Sequence, residues 1–336
     1  MNARRLKEIL DRARTKRILV VGDLMLDEFV WGRVKRISPE APVPVVEVTG
    51  ESFYPGGGAN VARNLREFVG HVAVVGMFGS DRGGRQLRDL MEEQKIETKN
   101  AVEDPGFLTI VKTRIIARNQ QVVRVDREQL RSPTPAQVSA IVRNVQRQLP
   151  KTDAIIFEDY GKGFLAGELV RRICEDALRG GKIVTGDPNP HHLIEWKGVT
   201  AVKPNRNEAF LAAGLPSSDP APAPMKDKPL LRAGEILQEK WQTKLVLITL
   251  GEQGMMLFER GKKPHHIPTK ARQVFDVSGA GDTAIALFTL ALSCDATAVE
   301  AAEIANHASA VVVGKVGTAT VTPEELRASF QNDRLA

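Results

Sequence analysis

The 336-residue chain is poor in cysteine: it has two, Cys174 and Cys294, and neither stands in a CxxC pair. That excludes a disulfide framework and a cysteine-built metal cluster, and it makes a reducing compartment the expectation. Long apolar runs are missing too. The longest, Thr283 to Cys294, spans 12 residues, too short to cross a bilayer. No signal peptide is readable, because the opening MNARRLKEILDRARTKR is charged throughout. The cytoplasm is therefore the expected location. Aromatic residues are scarce at 5%, and Trp31, Trp196 and Trp241 read as packing residues rather than stacking platforms. There is no block of one charge. Lys+Arg 47 against Asp+Glu 41 leaves a net +6, but the basic residues are scattered among acids, so no nucleic-acid partner is expected. The densest basic stretch, Arg4 to Arg17, is interleaved with Glu8 and Asp11 at helical spacing and reads as a solvated helix face. No GxxxxGK[ST] occurs, and the glycines at 56–58 do not form GxGxxG, which argues against a P-loop or a dinucleotide fingerprint. His191-His192 and His265-His266 lack a third ligand at a useful spacing and read as surface residues, and Cys174 reads as buried and inert.

What is present is a regular alternation. Arg17-Ile-Leu-Val-Val-Gly-Asp23 is an apolar run ending in Gly-Asp, the pattern of a buried parallel strand. Similar runs recur at Val72–Val75, Ala154–Phe157, Ile183–Thr185, Thr200–Val202 and Leu245–Leu250, and helical patterns separate most of them. This predicts an α/β fold with a doubly wound, mainly parallel sheet flanked by helices. Two regions, 26–50 and 98–126, hold strand-like segments without helices. They predict a small antiparallel β lid beside the main sheet. Pro216–Pro229 reads as a surface loop, and helices near Ser278, Ala298–Val313 and Pro323 close the chain.

Four runs carry chemistry. Asp276-Val-Ser-Gly-Ala-Gly-Asp-Thr283 precedes an apolar helix, so Gly279, Ala280 and Gly281 offer unobstructed N–H groups where the helix dipole favours negative charge. Such a nest suits a moving phosphoryl group, and Asp282 is placed to take a proton from a hydroxyl. Standing alone, the run reads as a Gly-rich turn with an acidic helix cap rather than as a catalytic site. Tyr54-Pro-Gly-Gly-Gly-Ala-Asn60 lets the backbone pass close to a ligand at Gly57 and Gly58 and offers the Asn60 amide to a sugar hydroxyl. Alone, it too is a turn that caps a helix. Asn205 and Glu208 lie on one face of a helix start, suited to water or Mg²⁺ near phosphates or simply to capping. Glu158-Asp-Tyr-Gly-Lys-Gly163 puts Asp159 and Lys162 in a loop after a strand. Asp23, Gly57–Asn60, Asp159 and Asp187 all fall at or just after strand ends, where open α/β sheets bind ligands.

Together, Gly57-Gly58-Ala59-Asn60, Asn205-Arg-Asn-Glu208 and Asp276-Val-Ser-Gly-Ala-Gly-Asp282 resemble the signatures of the ribokinase-like (PfkB) carbohydrate kinases, in the right order and over about Arg17 to Leu326. Further runs resemble the heptose-7-phosphate kinase group within that family. They are Gly22-Asp-Leu-Met-Leu-Asp27, Arg36-Ile-Ser-Pro-Glu-Ala-Pro-Val-Pro, Arg118-Asn-Gln-Gln121, Asp159-Tyr-Gly-Lys-Gly163 and Val312-Val-Gly-Lys-Val-Gly-Thr318. The resemblance implies one ribokinase-like kinase domain over 1–336, with its lid at about 26–50 and 98–126. It implies ATP-dependent phosphorylation of the anomeric hydroxyl of D-glycero-β-D-manno-heptose 7-phosphate for lipopolysaccharide core synthesis. Kinases for fructose 1-phosphate or tagatose 6-phosphate, and a non-catalytic sugar- or nucleotide-binding regulator, are the rival readings.

By the same resemblance Asp282 is the base and Gly279, Ala280 and Gly281 form the anion hole. Asp23, Asp27, Arg36, Gly57, Gly58, Asn60, Arg118, Asn119, Asp159 and Lys162 face the sugar phosphate, with Arg36, Arg118 and Lys162 as its cationic partners. Asn205, Glu208, Thr249, Gly251, Gly254 and Asn306 face the nucleotide, Glu208 reaching Mg²⁺ through water. A monovalent cation such as K⁺ and a homodimer built through the lid are also implied. Members of the heptose kinase group commonly carry a fused nucleotidyltransferase domain. None is expected in this chain, so a separate protein would perform that step. Two positions depart from the family pattern: Asn189 stands where a lysine is usual, and Lys203 where a threonine is usual.

Overall fold

The first apolar run, Arg17 to Gly22, lies inside the main sheet with neighbours on both sides. The computed structural model describes residues 1–118, 120–192, 194–271 and 274–332. In chain order its strands are β1 (Arg17–Gly22), β2 (Leu24–Ile37), β3 (Pro44–Gly57), β4 (His71–Val75), β5 (Met77–Gly79), β6 (Val102–Asp104), β7 (Ile110–Ala117), β8 (Gln120–Arg127), β9 (Ala154–Glu158), β10 (Ile183–Asp187), β11 (Ala201–Val202), β12 (Leu245–Thr249), β13 (Met255–Glu259) and β14 (His265–Ile267). The main sheet has the order β14-β13-β12-β11-β10-β9-β1-β4. From β12 to β4 every pairing is parallel, and β13 and β14 close one edge antiparallel.

Side chains of a strand alternate between faces, and a sheet buried on both sides therefore needs two cores. Ile18 and Val20 enter one, with helices Ala3–Ala13, Gly58–Arg66, Ala280–Ser293 and Ala298–Val312. Leu19 and Val21 enter the other, with helices Pro135–Gln148, Gly167–Arg179 and Lys228–Trp241. This is the doubly wound arrangement expected from the alternation. The basic N-terminal stretch is a helix whose inner stripe, Leu6, Ile9, Leu10 and Ala13, is buried. The edge hairpin β13–β14 was not expected, because its short strands give little period-2 signal.

A second sheet, β3-β2-β7-β8, grows from the carboxyl end of β1, since β2 starts one residue past Asp23. Its hairpins β2–β3 and β7–β8 are antiparallel as expected, but they join through a parallel β2–β7 pairing. Its first hairpin is also longer than expected, 14 residues in each strand. Strand β8 is exposed along its whole length. The lid thus begins where the parallel strands end.

Candidate active site

The helix Ala280–Ser293 begins at Gly279, whose φ of +76° is open to glycine at little cost. A Cβ there would lie 2.8 Å from Asn60 Nδ2, so the glycine also makes room for a neighbour. Helix starts leave N–H groups without intrahelical acceptors. The Ala280 N–H is taken by Val277 O at 3.2 Å, which corrects its expected place in the anion hole. Among the described residues, the N–H groups of Gly279, Gly281 and Asp282 have no protein acceptor and remain for a ligand.

Asp282 stands on this first turn, 5% exposed. Its two oxygens are both held: Asn60 Nδ2 donates to Oδ2 at 2.7 Å and the Tyr160 hydroxyl donates to Oδ1 at 2.8 Å. Burial raises the carboxyl pKa, while these two hydrogen bonds and Lys203 oppose the rise. Asn60 was expected to meet a sugar hydroxyl; its amide instead holds the Asp282 carboxylate. Asn64 extends the buttress, donating to the Asn60 carbonyl at 3.0 Å and accepting from Thr283 Oγ1 at 2.9 Å. Tyr160 was missed as a site residue. It lay inside the Asp159–Gly163 run, but a tyrosine in a loop gives no spacing signal. Burial, and then the charge of Asp282, push its own pKa well up, so it stays a donor.

Below the helix start lies a cavity of about 920 Å³, lined by Glu158, Asp187, Lys203, Asn205, Glu208, Gly279, Gly281 and Asp282 among others. Lys203 is 3% exposed and its Nζ lies 2.9 Å from Asp187 Oδ2. A Cβ on Gly281 would sit 3.5 Å from that Nζ, so the ammonium borders the anion nest. This is the lysine that stands where a threonine is usual. Burial alone would lower its pKa, but Asp187 and Glu158 hold it up. Burial pushes Asp187 up to about 7 in spite of the lysine. Burial likewise raises Glu158 well above the ordinary range, with Asp187 adding to it.

Asn205 and Glu208 form a reciprocal helix cap: Glu208 N donates to Asn205 Oδ1 at 2.9 Å and Asn205 N to Glu208 Oε2 at 2.7 Å. The capping reading is seen directly, and Glu208 also lines the cavity. Glu158 Oε2 is buried with no hydrogen-bond partner. No group of three His, Cys, Asp or Glu among the described residues could cage a metal. One or two carboxylates beside a phosphate site do fit Mg²⁺, which retains much of its water shell.

A second cavity of about 520 Å³ adjoins the first, sharing Thr249, Gly251, Val277 and Gly281 with it. Gly254 and Asn306 also line it, so four expected nucleotide residues, Thr249, Gly251, Gly254 and Asn306, come together. Its walls include Met255, Val274, Ala310 and Val313, an apolar slot suited to a flat base.

On the lid side the expected residues separate. Asp23 is 2% exposed and its carboxylate accepts the N–H groups of Tyr160, Lys162 and Phe164. It therefore anchors the 159–164 loop rather than meeting a ligand directly. Asp159 is spent similarly, on Gly161 N at 2.8 Å and His192 Nδ1 at 3.0 Å, so His192 is not the free surface residue expected. Gly57 has φ +57° and a Cβ there would lie 2.7 Å from Asp23 O, and Gly58 N donates to that same carbonyl at 3.0 Å. These glycines bring the lid base against β1. Asp27, 6% exposed, pairs with Arg114 Nη1 at 2.6 Å. Lys162 pairs with Glu128 at 2.6 Å. Arg36 and Arg118 are exposed near the far end of the lid, where Arg118 Nη2 donates to Val34 O at 3.3 Å. Twelve residues of strand separate Arg36 from Leu24, about 40 Å along the strand, which corrects their expected place as cationic partners in this chain's own cleft. Asn119 lies outside the described residues.

A buried carboxylate beside unclaimed N–H groups, a lysine bordering them and an adjoining apolar slot are chemically suited to phosphoryl transfer. The description "pfkB family carbohydrate kinase" matches residues 15–325, and the chain belongs to that family of phosphotransferases with an alcohol acceptor. Two similar relatives are both named bifunctional protein HldE. The one from Desulfatibacillum aliphaticivorans is 42% identical over 95% of this chain and 64% of its own length. The one from Geobacter sulfurreducens is 40% identical over 98% of this chain and 66% of its own length. The chain thus spans about 64–66% of these relatives. Among solved structures, Arabidopsis thaliana ribokinase complexed with ribose and ATP superposes with a TM-score of 0.71 at 17% identity, covering 94% of this chain and 99% of that one. Escherichia coli phosphofructokinase-2 in complex with substrates and products does so with 0.74 at 18%, covering 95% and 99%. These two establish the ribokinase-like fold.

Proposed function

We propose that the chain transfers the terminal phosphoryl group of ATP to the anomeric hydroxyl of D-glycero-β-D-manno-heptose 7-phosphate, giving the 1,7-bisphosphate for ADP-heptose and lipopolysaccharide core. The similarity to proteins named HldE supports the substrate. The observation that carries the chemistry is Asp282, buried and held at both oxygens, on the same first turn as the unclaimed N–H groups of Gly279 and Gly281. In this reading Asp282 takes the proton of the acceptor hydroxyl. The acceptor oxygen bonds to the terminal phosphorus as the bond to the bridging oxygen breaks, and ADP leaves with that electron pair. The free N–H groups and Lys203 meet the charge on the moving group. They are already oriented by the fold, so little reorganisation is needed.

ATP would lie across the two joined cavities, with its base between Val274 and Val313 and its phosphates toward Gly281. Mg²⁺ would be held through water by Glu208 and Glu158 and would neutralise phosphate charge. A monovalent cation such as K⁺ is part of the proposal. So is a homodimer through the lid, supported by Val122, Val123 and Val125, which stand exposed on β8. A cytoplasmic location fits an ATP-dependent enzyme, and no helix among the described residues is long and apolar enough to cross a membrane.

The test is ADP release with heptose 7-phosphate against fructose 1-phosphate, tagatose 6-phosphate and other phosphosugars, in wild type and in Asp282→Asn. The expected result is preferred turnover of heptose 7-phosphate, with kcat lowered by about 10³-fold or more in the variant and ATP affinity within a few-fold. Near-native turnover in the variant would remove Asp282 as the base. Preference for another phosphosugar would leave the kinase and overturn the substrate.

A further inference from the structure

We infer that Arg63 is a positioning residue for the transfer: it joins the aromatic underside of the lid to the 317–318 turn that braces the anion nest, so that the seating of the lid and the geometry of the nest are set together. The inference rests on the reading of that nest given above and is independent of which phosphosugar is the acceptor.

Arg63 lies one turn beyond Asn60 on the helix Gly58–Arg66. Its guanidinium carbon stands 5.2 Å from the centroid of the Tyr54 ring, and its Nη1 donates to Thr318 O at 2.6 Å. Tyr54 belongs to the lid, on β3 opposite Asp27. The Phe29 ring meets it edge-on at 5.7 Å, and Trp31 stacks on Phe29 at 5.8 Å. Phe29 also reaches the turn, since a Cβ on Gly317 would lie 4.0 Å from Phe29 Cζ. From the other side the turn is tied to the segment that enters the nest. Asp276 Oδ1 accepts from Ser278 N at 2.9 Å, and Oδ2 accepts from Gly317 N at 3.1 Å. Thr318 itself abuts the nest: a Cβ on Gly279 would lie 3.3 Å from its methyl carbon.

The way these groups are satisfied shows that the bridge is built. Arg63 is half-buried, and among the described residues no carboxylate is ion-paired with it. Burial lowers its pKa, with Tyr54 and Glu67 opposing. The ring face and the Thr318 carbonyl are what compensate the buried charge. Thr318 is 4% exposed, and its own hydroxyl is buried with no partner. Among the described residues the bond from Arg63 is the one hydrogen bond that reaches Thr318, so the place of its methyl against Gly279 depends on the arginine. Arg66 gives the contrast. It serves its own helix end by donating to Val69 O at 2.6 Å, whereas Arg63 turns away from its helix to join two other segments. The bridge also gives a role to Gly317 and Thr318, the end of the Val312–Thr318 run, which no step of the transfer uses.

The experiment is ADP release by wild type, Arg63→Met, Arg63→Lys, Tyr54→Leu and the double variant Tyr54→Leu/Arg63→Met. Each is assayed with the phosphosugar that wild type prefers and without sugar, and Tm serves as a folding control. Arg63→Met should lower kcat about tenfold while KM for ATP stays within about threefold. Release without sugar should hardly change, because hydrolysis with the lid unseated does not use the bridge. The ratio of sugar-independent to sugar-dependent release should therefore rise about tenfold. Arg63→Lys, which keeps a cation over the ring, should recover at least about a third of the wild-type kcat. Tyr54→Leu should cost about three- to fivefold, and the double variant no more than Arg63→Met alone. Additive losses in the double variant, an equal fall in both kinds of release, or a kcat within twofold of wild type would each overturn the inference. Should Arg63→Met not fold, Arg63→Gln takes its place with the same expected results. Near-native turnover in Asp282→Asn with the Arg63 ratio raised would remove the base and leave this bridge. An inactive Asp282→Asn with the Arg63 ratio unmoved would do the reverse. A wild type whose ADP release no sugar stimulates would sink both.

Discussion

Replacing Tyr160 with phenylalanine removes one hydroxyl from the site and leaves the ring under Lys112. In the wild-type protein that hydroxyl gives Asp282 Oδ1 a hydrogen bond of 2.8 Å, while Asn60 holds Oδ2. A hydrogen bond to a charged group is worth about 1.5–3 kcal/mol. Were all of it spent on orienting the base, kcat would fall about 10- to 100-fold. An opposing effect must be weighed. The same bond stabilises the ionised carboxylate, so losing it makes Asp282 a stronger base, which returns part of the rate. Orientation wins, because the remaining Asn60 bond leaves the carboxylate free to swing about one oxygen. A loss of about tenfold is the expected outcome.

The pH profile provides the second readout. Asp282 must be ionised to accept a proton, so activity falls on the acid side as pH drops through its raised pKa. Burial raises that value, and Asn60, Tyr160 and Lys203 hold it down against Asp27. Glu158 and Asp187 also face Asp282 and feel its charge. Removing the Tyr160 bond raises the value further, and the acid limb of kcat moves to higher pH. Stopped-flow or coupled ADP assays between pH 5 and 9 would resolve both changes. A kcat within twofold of wild type together with an unmoved acid limb would refute the role given to Tyr160.

The other expected outcomes follow from the charges under the anion nest. Lys203→Met should lower kcat by about 10²- to 10³-fold by removing the ammonium beside Gly281. It should also destabilise the fold by about 3–5 kcal/mol by leaving Asp187 buried and unpaired. The double variant with Asp187→Asn should regain stability in a thermal melt but not activity; recovery of both would make the lysine merely structural. Glu158→Gln should raise Tm by about 1–3 °C at neutral pH. Glu158 has a folded pKa raised above its unfolded value, so its wild-type contribution is fully present below the unfolded pKa and is lost as pH rises through the folded one. The gap between wild type and variant should therefore close on acidification, and a constant gap would contradict the assignment.

The sheet was legible because apolar runs bounded by glycine and aspartate repeat with helices between them, and such runs have few other uses. The lid was legible in outline only. Its hairpins show as alternation, but the parallel join of β2 to β7 spans more than eighty residues and leaves no local trace. The anion nest was readable in Gly279 and Gly281 because small residues at a helix start have direct consequences for backbone access. Which N–H groups stay free was not, since the bond from Ala280 to Val277 depends on how the turn closes. Asp23 and Asp159 show the same limit. An aspartate after a strand looks identical whether its oxygens meet a ligand or the N–H groups of a neighbouring loop. Only the folded loop decides, and here both are spent on it.

The residues that escaped sequence reasoning share a cause. Tyr160 and Lys112 come from a loop and a lid strand, and Lys203, visible in the sequence only as a departure from the family pattern, from a strand end; none stands in a spacing that chemistry demands. They meet around one carboxylate, with Tyr160 touching Asp282, Lys203 bordering the nest below it and Lys112 standing over the Tyr160 ring. Each is a buried or half-buried polar group that costs stability unless something compensates it. The protein supplies partial compensation to Lys203 through Asp187 and less to Lys112. The ammonium at the nest must stay charged before any ligand arrives, because Asp187, Glu158 and Asp282 would otherwise face one another unscreened.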